Sequence, residues 1–194
     1  MILQRIKTTE RTETVQKSLT SKTNQKEFKK LGNGVFGNVV EHPNPNLVIK
    51  IGKGVGGADR DGWLLWAQAS NMFPNPFVPR IVSITVWENQ YHNESVYLAV
   101  MEKLHPFDPF RTDEEKLAGL IHPTWKTIQS LEIESRRVRL CADKATKEQR
   151  NLYRAYQWCL EKPFHMSKDL HQNNWMLRRT KNGDIPVITD PFAW

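Results

Sequence analysis

The chain has 194 residues, of which 39% are hydrophobic and 25% charged, with a formal net charge of +7; it is long enough for one domain or two small lobes, and its balance is that of a globular protein. No apolar run approaches the roughly 20 residues that cross a bilayer, and the polar N-terminus lacks the apolar segment of a signal peptide, so a cytoplasmic protein is expected. Cys141 and Cys159 are too few and too isolated for a disulfide framework and are expected to be reduced, and the six histidines show no metal-ligand spacing with them.

Residues 1 to 27 are rich in Thr, Ser, Lys and Gln and poor in apolar side chains, which predicts a polar arm, mobile or at most a weakly held first helix. From Phe28 the texture changes. LGNGVFGNVV, Leu31 to Val40, sets three glycines at the spacing GxGxxG ahead of two β-branched residues. VVEHPNPNLVIKIG reads as strand, Pro/Asn turn, strand. Glycines between strands do not fit a dinucleotide-binding turn, in which they must open a helix. GWLLWAQASNM, Gly62 to Met72, predicts a short buried helix that ends before Pro74, Pro76 and Pro79. RIVSITVWEN and SVYLAVMEKL predict two more strands on either side of the polar NQYHNE. The result is a small β-rich lobe of five strands and one helix.

After His105 and Pro106 the pattern turns helical. The strongest helix begins at Thr146, where TKEQ fits a capping box, and Pro163 ends it. Leu152, Tyr153, Tyr156, Cys159 and Leu160 recur at helical spacing and predict a core-facing stripe. WMLRRTKNGDIPVITD then predicts a β-hairpin around Asn182-Gly183.

The ends of that hairpin gather chemistry. Asn174 lies eight residues before Asn182 and Asp190 seven after Gly183, so antiparallel pairing brings both to the same end of the ribbon. Asp169 is on the loop just upstream. Two carboxylates and an amide without a Cys or His cluster supply hard oxygen ligands, suited to Mg²⁺ bound jointly with phosphates. Taken singly, each has a plainer reading, since Asp and Asn often cap helices or make turns. Along Leu47 to Ile51 the side chains alternate, so Val48 and Lys50 share a face; alone, Lys50 reads as a solvated strand lysine.

In this combination the residues resemble the protein-kinase superfamily over about residues 31 to 192. KDLHQNN, Lys168 to Asn174, resembles the catalytic loop, and TDPF, Thr189 to Phe192, the metal-binding DFG segment. LGNGVFGNVV matches GxGxxGxV with Gly32, Gly34, Gly37 and Val39, LVIK ending at Lys50 matches VAIK, and VMEKL, Val100 to Leu104, looks like the hinge. All five occur in kinase order. LGNG, VIK, DxHxxN and GDxPxITDP resemble the early serine/threonine kinases of T7-like bacteriophages.

The resemblance implies an α+β fold with a β-rich N-lobe, residues 28 to 104, and a shortened, mainly helical C-lobe, residues 105 to 194. It implies ATP and Mg²⁺ as cofactors and host proteins as substrates in the bacterial cytoplasm. Backbone N–H groups of Gly32, Asn33, Gly34 and Gly37 would approach the phosphates, and Val39 and Val48 would enclose the adenine. Met101, Glu102 and Leu104 would line the hinge, with backbone groups of the last two on the adenine edge. Lys50 would reach the phosphates, Asp169 would orient the substrate hydroxyl and accept its proton, and Asn174 and Asp190 would hold Mg²⁺.

Several positions depart from the pattern. Ser167 and Lys168 stand before the catalytic Asp in place of His and Arg, and His171 replaces the loop lysine. The Gly62 to Met72 helix has no Glu to pair with Lys50, and Asp59, Asp61 and Gln68 are the alternatives. Four residues follow Asp190, so the activation segment and substrate platform of ordinary protein kinases are not expected in this sequence, which would be either a fragment or a minimal kinase with a helical lobe built mostly from residues 105 to 165, and Pro191 restricts the backbone where glycine is usual. Two further readings stay open: a trimmed kinase fold that binds and inhibits a host factor with little or no catalysis, and a small-molecule kinase of the aminoglycoside type. The net charge favours an acidic protein partner or nucleotide phosphates. No basic run interleaved with aromatics indicates a nucleic-acid groove, and RRVR, Arg136 to Arg139, reads as a solvated helix face. A second copy of the chain could supply the missing platform.

Overall fold

The computed structural model describes residues 2–25, 28–34, 37–55, 58–89, 91–106, 146–163, 167–168 and 174–193. Over these residues the chain is α+β and mostly sheet, with a mixed six-stranded sheet, two smaller sheets and three helices. It divides into two compact units, Met1–Leu64 with Arg80–Lys103, and Leu65–Pro79 with Leu104–Trp194.

The first unit is built on β1 (Ile2–Thr8), β2 (Lys30–Gly34), β3 (Gly37–Glu41), β4 (Leu47–Val55), β5 (Ile81–Asn89) and β6 (Glu94–Glu102). Across the sheet they run β1-β5-β6-β4-β3-β2, antiparallel from β5 to β2, with β1 added parallel to β5. Asparagines close the turns. Asn44 Oδ1 accepts the N–H of Asn46 at 2.9 Å between β3 and β4. Asn89 Oδ1 accepts those of Tyr91 and His92 at 2.8 and 3.0 Å between β5 and β6. In the same turn Asn93 takes a left-handed φ of 47°, a conformation asparagine tolerates better than most residues.

The N-terminal segment, expected as a polar arm or a weakly held first helix, carries a strand as well as a helix. Ile2 to Thr8 form β1, opposite Ser83 to Asn89, and α1 (Thr12–Gln25) packs Leu19 on a face of the sheet formed by Val40, Ile49 and Ile51. Polar bonds supply what apolar burial does not. Arg5 donates to Asp59 at 2.5 Å and to Glu88 at 3.1 Å. The buried Thr12 hydroxyl donates to Glu94, whose other oxygen lies 3.7 Å from Lys53 Nζ. Asn89 Nδ2 donates to the Glu10 carbonyl at 2.6 Å.

Helix α2 (Gly62–Met72) starts in the first unit and continues in the second. The core of the second unit joins Leu65, Trp66 and Ala69 of α2 with Phe77 and Val78 of the following loop. Leu152, Tyr153, Ala155, Tyr156 and Cys159 of α3 (Lys147–Leu160) complete it with Ile188 and Phe192. The predicted stripe on α3 is present except at its end, where Leu160 is 41% exposed because the helix stops there.

Strands β7 (His105–Pro106), β9 (Trp175–Thr180) and β10 (Gly183–Ile188) form one small sheet, ordered β10-β9-β7. A second pairs β8 (Ser167–Lys168) with β11 (Phe192–Ala193). The Asn182-Gly183 hairpin forms with a geometry the dipeptide alone does not specify. The left-handed φ, 114°, falls on Gly183, and among the described non-glycine residues only Asn93 has a positive φ. The loop is therefore not the type I′ turn, which needs positive φ at both central residues.

Arg178, 7% exposed, sends its guanidinium to the carbonyls of Pro76 and Val78, the latter at 2.9 Å, and Ile188 N–H donates to Phe77 O at 2.9 Å. The proline loop is thus stitched to the hairpin. The expected helical region between Pro106 and Thr146, with RRVR and Cys141, lies outside the described residues. Among the described residues no helix is long and apolar enough to cross a membrane.

Candidate functional site

The sequence-predicted residues fall into two groups, one in each unit. In the first unit the glycines lie in the β2–β3 hairpin, with Gly32 opposite Val39, Asn33 opposite Asn38 and Gly34 opposite Gly37. Val35 and Phe36 between them are outside the described residues. The glycines differ in what they face. A Cβ on Gly37 would run into the Ile51 carbonyl, so close packing on β4 already requires that glycine. A Cβ on Gly32 would meet nothing within 4 Å. The backbone at Gly32 therefore has room beside it for a ligand.

Register places the expected side chains on one sheet face. Val39 sits opposite Lys50 and Lys50 opposite Ala99, while two residues along the strand Glu41, Val48 and Met101 form the next row. Directly opposed residues share a face, as do alternate residues of a strand. Val39, Val48, Lys50 and Met101 therefore project to the same side, away from the Val40, Ile49 and Ile51 cluster. Val48 and Met101 are 6% and 7% exposed, which gives the lysine apolar neighbours.

The structure adds an aromatic partner for Lys50 that sequence spacing did not suggest. Lys50 Nζ lies 4.3 Å from the centroid of the Trp63 ring. Trp63 in turn stacks on Tyr97 with centroids 4.9 Å apart and planes 7° from parallel. Tyr97 lies opposite Gly52, and its ring fills the space a Cβ there would need. Asp61 Oδ1 caps α2 by accepting Leu64 N–H at 2.7 Å, and Asp59 accepts a bond from Arg5.

At the expected hinge the Glu102 N–H donates to Arg80 O at 3.0 Å, and its carboxylate accepts Arg80 N–H at 2.7 Å. That N–H is committed within the protein, so a ligand must use another backbone group here. Leu104 is buried and opens the second unit just before β7.

In the second unit the hairpin does what its spacing requires. Ile188 pairs with Trp175 at the last rung of the β9–β10 ladder. One step further the Asn174 carbonyl accepts both the N–H of Thr189, at 2.8 Å, and its hydroxyl, at 3.0 Å. Asn174 and Asp190 therefore emerge at the same end of the ribbon. Lys168 pairs with Phe192, two residues beyond Asp190, so the strand that leads into Asp169 runs beside the one that leaves Asp190. Asp169 itself is outside the described residues. No protein-family model matches the chain, and no curated protein matches it.

Beneath this hairpin end Phe192 stacks on Tyr156 with centroids 5.0 Å apart, and Trp66 meets Phe192 edge-on at 6.1 Å. Trp66 Nε1 donates to Ile188 O at 2.9 Å. Burial pushes the Tyr156 phenol well above its ordinary range and the Cys159 thiol up to about 12, so both stay protonated and act as packing groups. Among the described residues no group of three or more His, Cys, Asp or Glu side chains is gathered for a metal. A metal at this hairpin end would take further oxygens from a ligand and from water.

Proposed function

We propose that the chain is an ATP-dependent serine/threonine kinase of the phage type, with a two-lobed kinase architecture, acting on host proteins in the bacterial cytoplasm and on itself. The observation that carries this reading is the bonding of Thr189 to Asn174, which turns two sequence motifs fifteen residues apart into neighbours at one hairpin end. Their donor set fits Mg²⁺, which prefers one or two carboxylates and completes its shell with phosphate oxygens and water. The row of Val39, Lys50 and Val48 on a single face, and the open backbone at Gly32, support an ATP cleft. So does the division of the chain between Lys103 and Leu104, at the expected hinge.

On this reading Gly32, Asn33, Gly34 and Gly37 offer backbone N–H groups to phosphate, and Lys50 adds a positive charge beside them. Val39, Val48 and Met101 enclose the base. Asp169 orients the acceptor hydroxyl and takes its proton. Asn174 and Asp190 would hold Mg²⁺, which when bound offsets the charge that develops on the transferring phosphoryl group. Incubation with γ-labelled ATP tests the reading: label is expected in the protein or in host extract, and an equal signal from Asp169→Ala would end it. If Asp169→Ala and Asp190→Ala stay folded and keep the full biological effect, the inhibitory binding reading replaces catalysis.

A further inference from the structure

We propose that the outer edge of β5, with the carboxylates of Asp59 and Glu88, is a docking site for an extended segment of a partner protein that carries basic side chains at alternate positions, and that β1 fills this site in cis. Strands β5, β6, β4, β3 and β2 form an antiparallel run, and β1 is added to it by parallel pairing, from Ile2 opposite Ser83 to Thr8 opposite Asn89. Strand addition of this kind draws affinity from main-chain bonds and selectivity from alternate side chains. Apolar burial contributes little, since Ile2 is 72% and Leu3 39% exposed and no β1 residue is buried.

Selectivity lies in charge. Arg5 donates to Asp59 at 2.5 Å and to Glu88 at 3.1 Å, so carboxylates from two separate segments converge on one guanidinium. Lys7 is two residues on, hence on the same face of the strand, and lies opposite Glu88 in register. The slot is thus acidic in a chain whose net charge is +7, and it selects basic residues one position apart along an extended backbone. Residues 2–8 can also leave it without the rest of the N-terminal segment. The chain bends at Thr9 and Glu10. Beyond the bend Asn89 holds the Glu10 carbonyl, Glu94 accepts the Thr12 hydroxyl, Val15 is buried and Leu19 packs on Val40, Ile49 and Ile51. These anchors keep α1 in place, whereas a strand with so few buried apolar contacts belongs to the part of a fold that opens most readily.

The full-length protein and a fluorescent peptide of residues 2–9, ILQRIKTT, test the proposal without recourse to phosphoryl transfer. In the Arg5→Glu protein, amide exchange at residues 2–8 is expected to quicken by about tenfold or more while residues 12–19 exchange as in wild type. The peptide should bind the Arg5→Glu protein about tenfold or more tighter than wild type, in which β1 competes for the edge. An unrelated peptide of alternating Thr and Val, with Arg and Lys at its fourth and sixth positions, should displace it, and the same peptide with Glu at both should not. Equal binding to the two proteins, equal displacement by the two competitors, or wild-type protection of residues 2–8 in the Arg5→Glu protein overturns the proposal. A further measurement needs no variant to fold. In wild type, exchange at residues 2–8 should be faster than in β6 and should rise with NaCl as the Arg5 pairs are screened; exchange as slow as in β6 at every salt concentration overturns the proposal as well. Concentration-dependent dimerisation of wild type that Arg5→Glu abolishes would assign the edge to a second copy of the chain and overturn the choice of a partner protein.

Discussion

Replacing Gly52 by alanine tests the packing that underlies the Lys50 face. The new methyl would overlap the Tyr97 ring at Cζ, Oη and Cε2, and that ring cannot swing aside because Trp63 covers its far face at 4.9 Å. Overpacking of this kind costs about 1–3 kcal/mol, and loss of the aromatic stack adds about 0.5–1.5 kcal/mol. A total of about 2–4 kcal/mol is a large part of the roughly 5–15 kcal/mol that holds a domain together. With a urea dependence of about 2 kcal/mol per molar, the unfolding midpoint should fall by about 1–2 M, followed by near-ultraviolet circular dichroism. The same substitution in a Tyr97→Leu background should cost less than about 1 kcal/mol, because the colliding ring is gone. A Gly52→Ala protein within about 0.5 kcal/mol of wild type, or an equal cost in both backgrounds, would refute the reasoning.

Arg178→Met should destabilise the second unit by about 2–4 kcal/mol, since the Pro76 and Val78 carbonyls lose their buried donor; faster amide exchange in residues 73–79 is the local readout. The Thr12 hydroxyl, then Lys53, holds the Glu94 carboxyl below its ordinary value of 4.5. Its contribution is therefore present above pH 4.5 and lost as pH falls through the lower folded value. The stability difference between wild type and Glu94→Gln should accordingly be seen at pH 7 and close in acid, and a pH-independent difference would refute this assignment. In a Cys141→Ser protein the Cys159 thiol, buried and pushed up to about 12, should resist a disulfide reagent at pH 8 until denaturant is added. Fast labelling of the native protein would contradict that burial.

Where the pattern is local, the sequence was readable. LVIKIG, GWLLWAQASNM, RIVSITVWEN and SVYLAVMEKL became β4, α2, β5 and β6 near their expected bounds, because alternation, flanking prolines and turn residues act within a few positions. The hairpin ends could be paired by counting from Asn182-Gly183, and the bonds between Asn174 and Thr189 agree. The N-terminal strand was not readable. β1 pairs with a strand about eighty residues away, and what holds it is Arg5, Thr12 and Asn89 rather than an apolar stripe. Trp63 and Tyr97 escaped for a similar reason. Thirteen and forty-seven residues from Lys50, they meet it only through register across β4 and β6 and the entry of α2. The turn type at Gly183 was also open, since Asn-Gly favours a positive φ without saying which residue carries it.

The most direct measurement of the central claim is paramagnetic broadening by Mn²⁺·ATP, with Mn²⁺ standing in for Mg²⁺. In one titration the amide resonances of Asn174 and Asp190 and the side-chain resonances of Lys50 should broaden together, and Asp190→Asn should abolish the effect at all three. Broadening confined to scattered surface carboxylates, or broadening of Asn174 and Asp190 that leaves Lys50 sharp, would contradict it.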